Sequence, residues 1–250
     1  MTGFTWTNED DRRFLAIRDD LARVSTASAC QLLIAEGWRN TYMVGLLPLR
    51  PMGLGIRIVG RARTCRYLIR RGPAGGPDTE ARRRSPEIVA IESIEAGDIF
   101  CVDALGVPTS GIIGDILSAR LQARGVPAAA IHGAVRDSPY IAELGFHVYC
   151  SAVHPAHSGR DLEPVDFDQP INMAGVQVRS GDILLADDEG VIAMPLEQAE
   201  MVARLGPPKE RLEIWIRDKI VAGGSVHDYY PPDPEKLAEY ERETGERYDH

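Results

Sequence analysis

Two acids and one arginine, Asp115 and the adjacent pair Arg136-Asp137, are the residues of this chain whose types could do chemistry together. Two carboxylates held side by side offer hard oxygen ligands to a hydrated Mg²⁺, which keeps several waters and needs only one or two protein acids. A guanidinium beside them can grip a substrate carboxylate through paired N–H donors. About twenty residues separate Asp115 from Arg136 in sequence, so the fold has to bring them together.

The stretch from Ser110 to Pro139 has the pattern to do so. Apolar Ile99 to Leu105 reads as a strand, Ser110 to Gly114 as a glycine-broken loop, Asp115 to about Arg124 as a helix and Val126 to Ile131 as a second strand. That order is a βαβ unit, whose parallel strands open both of their carboxyl-end loops on one sheet edge. Asp115 lies in the first loop and Arg136-Asp137 in the second. The helix starting at Asp115 points free N–H groups, those of Ile116 and Leu117 among them, into the same crevice, and a helix N-terminus binds anions. Ser138 as N-cap, Pro139 at the first helical position and Gly145 at the far end mark another helix, which pins Arg136-Asp137 between a strand and a helix. A plain structural reading stays open on the residues alone: a surface ion pair at 136–137 and a helix cap at 115.

At 250 residues with 44% apolar content the chain can bury one substantial core. A formal charge of −9 argues against a surface that coats nucleic acid, which needs clustered Lys and Arg. The four cysteines are widely spaced, without a C-x-x-C pair, and read as small buried hydrophobes. With no signal peptide and no apolar run of membrane length, the expected location is cytoplasmic, away from the membrane.

Along the rest of the chain, Phe14, Ile17, Leu21 and Val24 give an amphipathic first helix, and Ser25-Thr26 cap a second that runs to Ala35. Strands are expected at Ile56 to Val59 and Ala62 to Ile69. Arg70 to Arg84, with arginines at both ends and glycine and proline between, reads as an exposed loop that could close over an anionic substrate. A helix follows from Pro86 to about Ile94. Beyond Phe146 β signals dominate, and Asp187-Asp188-Glu189-Gly190 is a hairpin turn rather than a metal loop. Two helices, Leu196 to Leu205 and Lys209 to Val221, precede Gly223-Gly224 and a charged tail. Residues 1–222 thus form one domain, and 223–250 an extension expected to pack on a neighbouring subunit.

Asp115, twenty residues, then Arg136-Asp137 resembles the D-x20-R-D signature of the RraA-like family, which includes class II 4-hydroxy-4-methyl-2-oxoglutarate aldolases and related oxaloacetate decarboxylases. Neighbouring words match in the family's order: Val24-Ser25-Thr26-Ala27, Gly60-Arg61-Ala62-Arg63-Thr64, Gly97-Asp98, Gly133-Ala134-Val135-Arg136-Asp137-Ser138, and Gly181-Asp182 followed by Asp187-Asp188-Glu189-Gly190-Val191. The resemblance implies a compact α/β domain with a central βαβ unit, a β-rich layer and flanking helices, assembled as a homotrimer or hexamer. It implies Asp137 as a direct ligand of Mg²⁺, with Mn²⁺ as an alternative, and Asp115 as holder of a metal-bound water. Arg136 would bind the carboxylate and keto oxygen of a pyruvate-like 2-keto acid, with Gly114 and the amides of Ile116 and Leu117 completing the cradle. The implied activity is a metal-dependent lyase passing through a pyruvate enolate; the alternative is a protein that binds and regulates a ribonuclease without catalysis.

Two departures bear on the substrate. Cys30-Gln31 stand where many relatives carry an acid, and the Arg70 to Arg84 segment and long tail are unusual. Glu36, Glu210 and Glu213 are candidate acids across a subunit boundary, each also readable as a solvated helix position. Of the histidines, His132 is close enough in sequence to reach the site but reads as structural, and His154 and His157 lack a third ligand at zinc spacing.

Overall fold

The computed structural model describes residues 6–72 and 79–248. Helices α1 (Asn8–Leu21) and α2 (Thr26–Ala35) lead into β1 (Leu47–Pro48) and the long β2 (Ile58–Ile69). After α3 (Thr79–Arg83) come α4 (Pro86–Ser93), β3 (Asp98–Asp103), α5 (Asp115–Ala123), β4 (Ala128–Val135), α6 (Ser138–Leu144) and β5 (His147–Val153). Then follow β6 (Leu162–Phe167), β7 (Ile171–Met173), β8 (Val176–Val178), β9 (Ile183–Asp187), β10 (Gly190–Met194), α7 (Leu196–Val221), α8 (Val226–Tyr229) and α9 (Pro234–Thr244).

The expected βαβ unit is present and extended. β2, β3, β4 and β5 are successive parallel neighbours, with α4, α5 and α6 as crossovers. Both other strands on the far edge of β2 are antiparallel: β9 pairs its first half and β6 its second. β10 continues the sheet from β9, and bonds from Met43 N–H to the Val191 carbonyl and from Ala193 N–H to the Thr41 carbonyl, both 2.9 Å, carry it on to the chain that becomes β1. Since β1 pairs with β5, the sheet is nearly closed. One apolar cluster fills the space under α4, α5 and α6, a second lies between the sheet and the β7–β8 hairpin, and a third joins α1, α2 and α7 to β9 and β10.

Several expected boundaries move, each for a local reason. The strands expected at 56–59 and 62–69 are one strand, because Gly60 takes the place of a kink: a Cβ there would stand 2.5 Å from the Gly97 carbonyl, so the glycine serves close approach of two chains. β4 runs past Gly133 to Val135, which sets Arg136 directly at the strand end. The N-cap of α6 is Asp137 rather than Ser138, since Asp137 carries the left-handed, non-helical dihedrals (φ 52°, ψ 32°). The expected exposed loop at 70–84 contains the short helix α3, supported by an Arg84–Glu80 pair at 3.4 Å; residues 73–78, the centre of the expected substrate-closing segment, lie outside the described residues.

The two helices expected after Pro195 are one. Pro207 and Pro208 deprive the Ala203 and Arg204 carbonyls of their helical donors, yet α7 continues because Val202, Ala203, Gly206 and Pro207 are buried against α1 and α2. The tail expected against another subunit has its apolar partners on the same chain. Leu212 and Ile216 of α7 are buried with Tyr240 of α9 in a fourth cluster, and the Trp215 ring meets Tyr240 and Tyr229 edge-on at 5.5 and 5.7 Å. No described helix is long and apolar enough to cross a membrane.

Candidate active site

The carboxyl ends of β3 and β4 bring together the residues that the spacing nominated. α5 begins at Asp115 behind Gly114, which is the N-cap and offers no side chain; the capping role open to Asp115 on sequence is therefore not used. The first helical bond runs from Ser118 N–H to the Gly114 carbonyl at 3.0 Å. The amides of Ile116 and Leu117 precede it and have no partner inside the helix. Their dipole end faces the edge where β4 delivers Arg136 and Asp137.

Asp137 caps its own helix with backbone alone; its side chain makes no cap bond. The carboxylate turns instead towards Arg136, 3.2 Å from Nε, and lies against Gly114, where a Cβ would meet Oδ2 at 2.4 Å and Arg136 Nε at 3.1 Å. Asp137, Arg136 and the start of α5 are thus packed through a glycine, with Asp115 one residue on. Both side chains of the pair are about one-third exposed, at 37% and 35%, so solvent and a small ligand can reach them. A left-handed non-glycine residue costs roughly 1–2 kcal/mol, and here it aims an acid away from its helix and into the site.

The loop between β3 and α5 is laced to its surroundings. Gly111 N–H donates to the Ala156 carbonyl, Ile112 N–H to that of Ala134 (both 2.8 Å), and Arg136 N–H to that of Ile113 at 3.0 Å. Thr109 and Ser110 hydroxyls donate to Asp161 Oδ2 at 2.6 and 3.0 Å. Nothing in the sequence flagged Asp161, which lies some fifty residues from its partners and belongs to no motif.

Among the described residues no group of three or more His, Cys, Asp or Glu side chains could hold a metal. The donor set at the site is two carboxylates and solvent. Such a set fits Mg²⁺, which keeps most of its waters, and does not fit an all-protein cage.

The other candidates fall elsewhere. His132 faces away, with Nδ1 3.2 Å from the Asn172 carbonyl and 3.5 Å from Asp103 Oδ1. Because a carbonyl only accepts, Nδ1 carries the proton, and Asp103 takes the Asn172 N–H at 3.2 Å. Histidine and acid together fasten the β7–β8 hairpin. His154 Nδ1 accepts the Ala156 N–H and shapes the turn after β5. Glu210 accepts the Ser25 N–H at 2.8 Å at the start of α2; burial pushes its carboxyl up, but the bonds from Ser25 and Ser28 and the charge of Arg57 together hold it below the ordinary value. Glu213 pairs with Lys209, and Glu36 is the exposed C-cap of α2. Asp187 takes the Thr26 N–H and hydroxyl, and Asp188 the amides of Met52 and Gly53, so the 187–190 turn is a β9–β10 hairpin with structural acids.

Known proteins resemble this chain in sequence and in fold. The profile of the RraA-like family, described as Aldolase/RraA, matches residues 23–193. The 4-hydroxy-4-methyl-2-oxoglutarate aldolase of Thermus thermophilus is 28% identical over 139 residues, covering 56% of this chain and 76% of that protein. Protein DlpA of Legionella pneumophila is 25% identical over 182 residues, 73% of this chain; the chain spans only 28% of DlpA's length. Among solved structures, Streptomyces coelicolor RraAS2, described as an unusual member of the RNase ES inhibitor RraA protein family, superposes with a TM-score of 0.72 at 26% identity, covering 86% of this chain and 99% of that one. With more than half of its length matched and Asp115, Arg136 and Asp137 inside the match, the chain belongs to the RraA-like family.

Proposed function

We propose that this protein is a divalent-metal-dependent lyase that cleaves the C3–C4 bond of a 2-keto acid through a pyruvate enolate. The observation that carries this is the packing of Asp137 and Arg136 against Gly114 at the amino end of α5. Arg136 binds the substrate carboxylate and the neighbouring keto oxygen, and the Ile116 and Leu117 amides donate to the same carboxylate. Asp137, with Asp115 through solvent, would hold Mg²⁺ or Mn²⁺, which when bound supplies Lewis acidity at those two oxygens. As the C3–C4 electrons move into the enolate, charge grows on the keto oxygen beside the guanidinium; removing one such donor costs on the order of 10²–10³-fold in rate.

In the retro-aldol direction the proton of the 4-hydroxyl must leave as C4 becomes a carbonyl. Asp115, acting through a water, is the acceptor in reach of the crevice. Oxaloacetate loses CO₂ from the same bond and needs no such base, and in both cases the enolate takes a proton at C3 to give pyruvate. The sequence neighbours named as aldolases support this class; the choice between aldolase and decarboxylase, assembly as a trimer or hexamer, and a cytoplasmic setting are parts of the same proposal.

A regulator that binds a ribonuclease is the second reading, favoured by the description of the Streptomyces neighbour. It has no need of an acid, an arginine and an acid packed through a glycine. Pyruvate release from oxaloacetate and from 4-hydroxy-4-methyl-2-oxoglutarate, with Mg²⁺ or chelator, decides between them. Metal-dependent release that disappears in Asp137→Ala and Arg136→Ala supports the lyase; no release, together with no binding of pyruvate or Mg²⁺, refutes it.

A further inference from the structure

Asp161 stands outside the acid–arginine set yet joins the loops that hold it. Its backbone carbonyl accepts the Arg70 N–H at 2.8 Å, fixing it at the end of β2 where β6 begins. Its side chain reaches the other way, to the Thr109 and Ser110 hydroxyls. Ser110 is wholly buried, so without Asp161 its hydroxyl would be left unpaired inside the protein. The Thr109 hydroxyl bond is the largest cause holding the Asp161 carboxyl below the usual range, with Ser110 adding to it and burial opposing.

The next residue is Gly111, and there the connection reaches the site. A Cβ on Gly111 would meet Arg136 Cβ at 2.8 Å and the His154 and Ala156 carbonyls at 2.9 and 3.0 Å, so the stem of Arg136 rests on this backbone. From 111 to 113 the loop is tied by the amide bonds to Ala156, Ala134 and Arg136 described above. At 109 and 110 it is tied by Asp161. We propose that Asp161 is a positioning residue for Arg136: by clamping Thr109-Ser110 it sets the height of Gly111, and with it the direction in which the guanidinium meets the substrate carboxylate. The proposal rests on the lyase reading for its kinetic consequence, but the geometry it describes can be read without activity.

The test uses the full chain as Asp161→Ala, Asp161→Asn and Ser110→Ala, with Arg136→Lys to identify the Arg136 Nε–Hε resonance in ¹⁵N-labelled protein. Asparagine keeps an oxygen that can accept both hydroxyls; alanine does not. The expected result is a displaced Arg136 resonance and a roughly tenfold or larger loss of kcat/KM for oxaloacetate in Asp161→Ala, with both restored to near the native value in Asp161→Asn, since a small misplacement of a binding group is costly. A native Arg136 resonance in Asp161→Ala overturns the proposal, as does an Asp161→Asn variant that behaves like the alanine. Should Asp161→Ala fail to fold, Ser110→Ala removes one of the two bonds and puts the same question to the resonance. If the native protein releases no pyruvate and binds neither pyruvate nor Mg²⁺, the lyase reading falls while the resonance still decides the positioning role.

Discussion

Gly114→Ala perturbs the site with one methyl group and nothing else. The backbone there (φ −123°, ψ −162°) is one that any residue adopts, so alanine brings no conformational strain. Its Cβ would stand 2.4 Å from Asp137 Oδ2, and ordinary contact begins at 3.4 Å, so the carboxylate must retreat by 1.0 Å. Arg136 Nε and Cγ, at 3.1 and 3.2 Å, must give by a few tenths of an ångström as well. Both side chains are partly exposed and can swing outwards, so the overlap is relieved by disassembling the site and not by unfolding. A misplacement of this size costs on the order of 10²-fold in rate, about 2.7 kcal/mol of barrier. The poorer N-cap costs under about 1 kcal/mol of stability, or less than about 4 °C in Tm. Coupled assay of pyruvate release alongside a thermal melt reads both quantities. In an Asp137→Ala background the substitution should do far less, because the atom it displaces is gone. A Gly114→Ala enzyme within about threefold of native kcat, equally stable, would refute the claim that this packing places the catalytic groups.

Three further outcomes follow from other parts of the molecule. Glu87 is 1% exposed and burial pushes its carboxyl above the ordinary value, against the Tyr67 hydroxyl and Arg82. A raised folded pKa means stability that is present below the unfolded value near 4.3 and is lost as pH rises through the folded one; Glu87→Gln should therefore raise Tm at pH 8, by an amount set by about 1–3 kcal/mol, and lose the gain near pH 4. A Tm at pH 8 no higher than native argues that Arg82 already compensates the charge. Gly206→Ala should destabilise by about 1–3 kcal/mol in a chemical melt although alanine is the better helix former, because its Cβ would stand 2.3 Å from Val24 Cγ2, a short buried side chain that cannot move aside. Tyr240→Ala should free the α8–α9 arm, seen as a red shift of Trp215 emission and faster proteolysis of the tail, with kcat within about twofold of native since its cluster is separate from those under the sheet; a matching loss of activity would tie the arm to the site.

The edge that carries the site was legible because its signals are local. A strand, a glycine-broken loop, a capped helix and a strand leave few topologies, and the handedness of the crossover then places Asp115 beside Arg136-Asp137. What stayed hidden was decided by partners distant in sequence. Gly60 looked like a break until Gly97 filled the missing Cβ, Pro207-Pro208 looked like a stop until α1 and α2 held the helix together, and Glu210 looked like a free acid until the Ser25 amide claimed it. Asp161 shows the same limit at the site: a lone acid gains meaning only from the two hydroxyls that close on it.

The order of strands in the sheet also bears on how the chain reaches its native state. β2, β3, β4 and β5 are neighbours in sequence as well as in space, each joined to the next through a helical crossover. Closing the sheet is different in kind, since β9 must find β2 across more than a hundred residues, and loop-closure entropy penalises such distant pairings. The parallel strands and their helices can therefore gather first, with the edge bearing Asp115 and Arg136-Asp137, while β9, β10 and α7 seal the far side later. Pulse-labelled hydrogen exchange would show it as early protection of β3 and β4 amides ahead of those in β9 and β10, and the reverse order would place the nucleus at the seam.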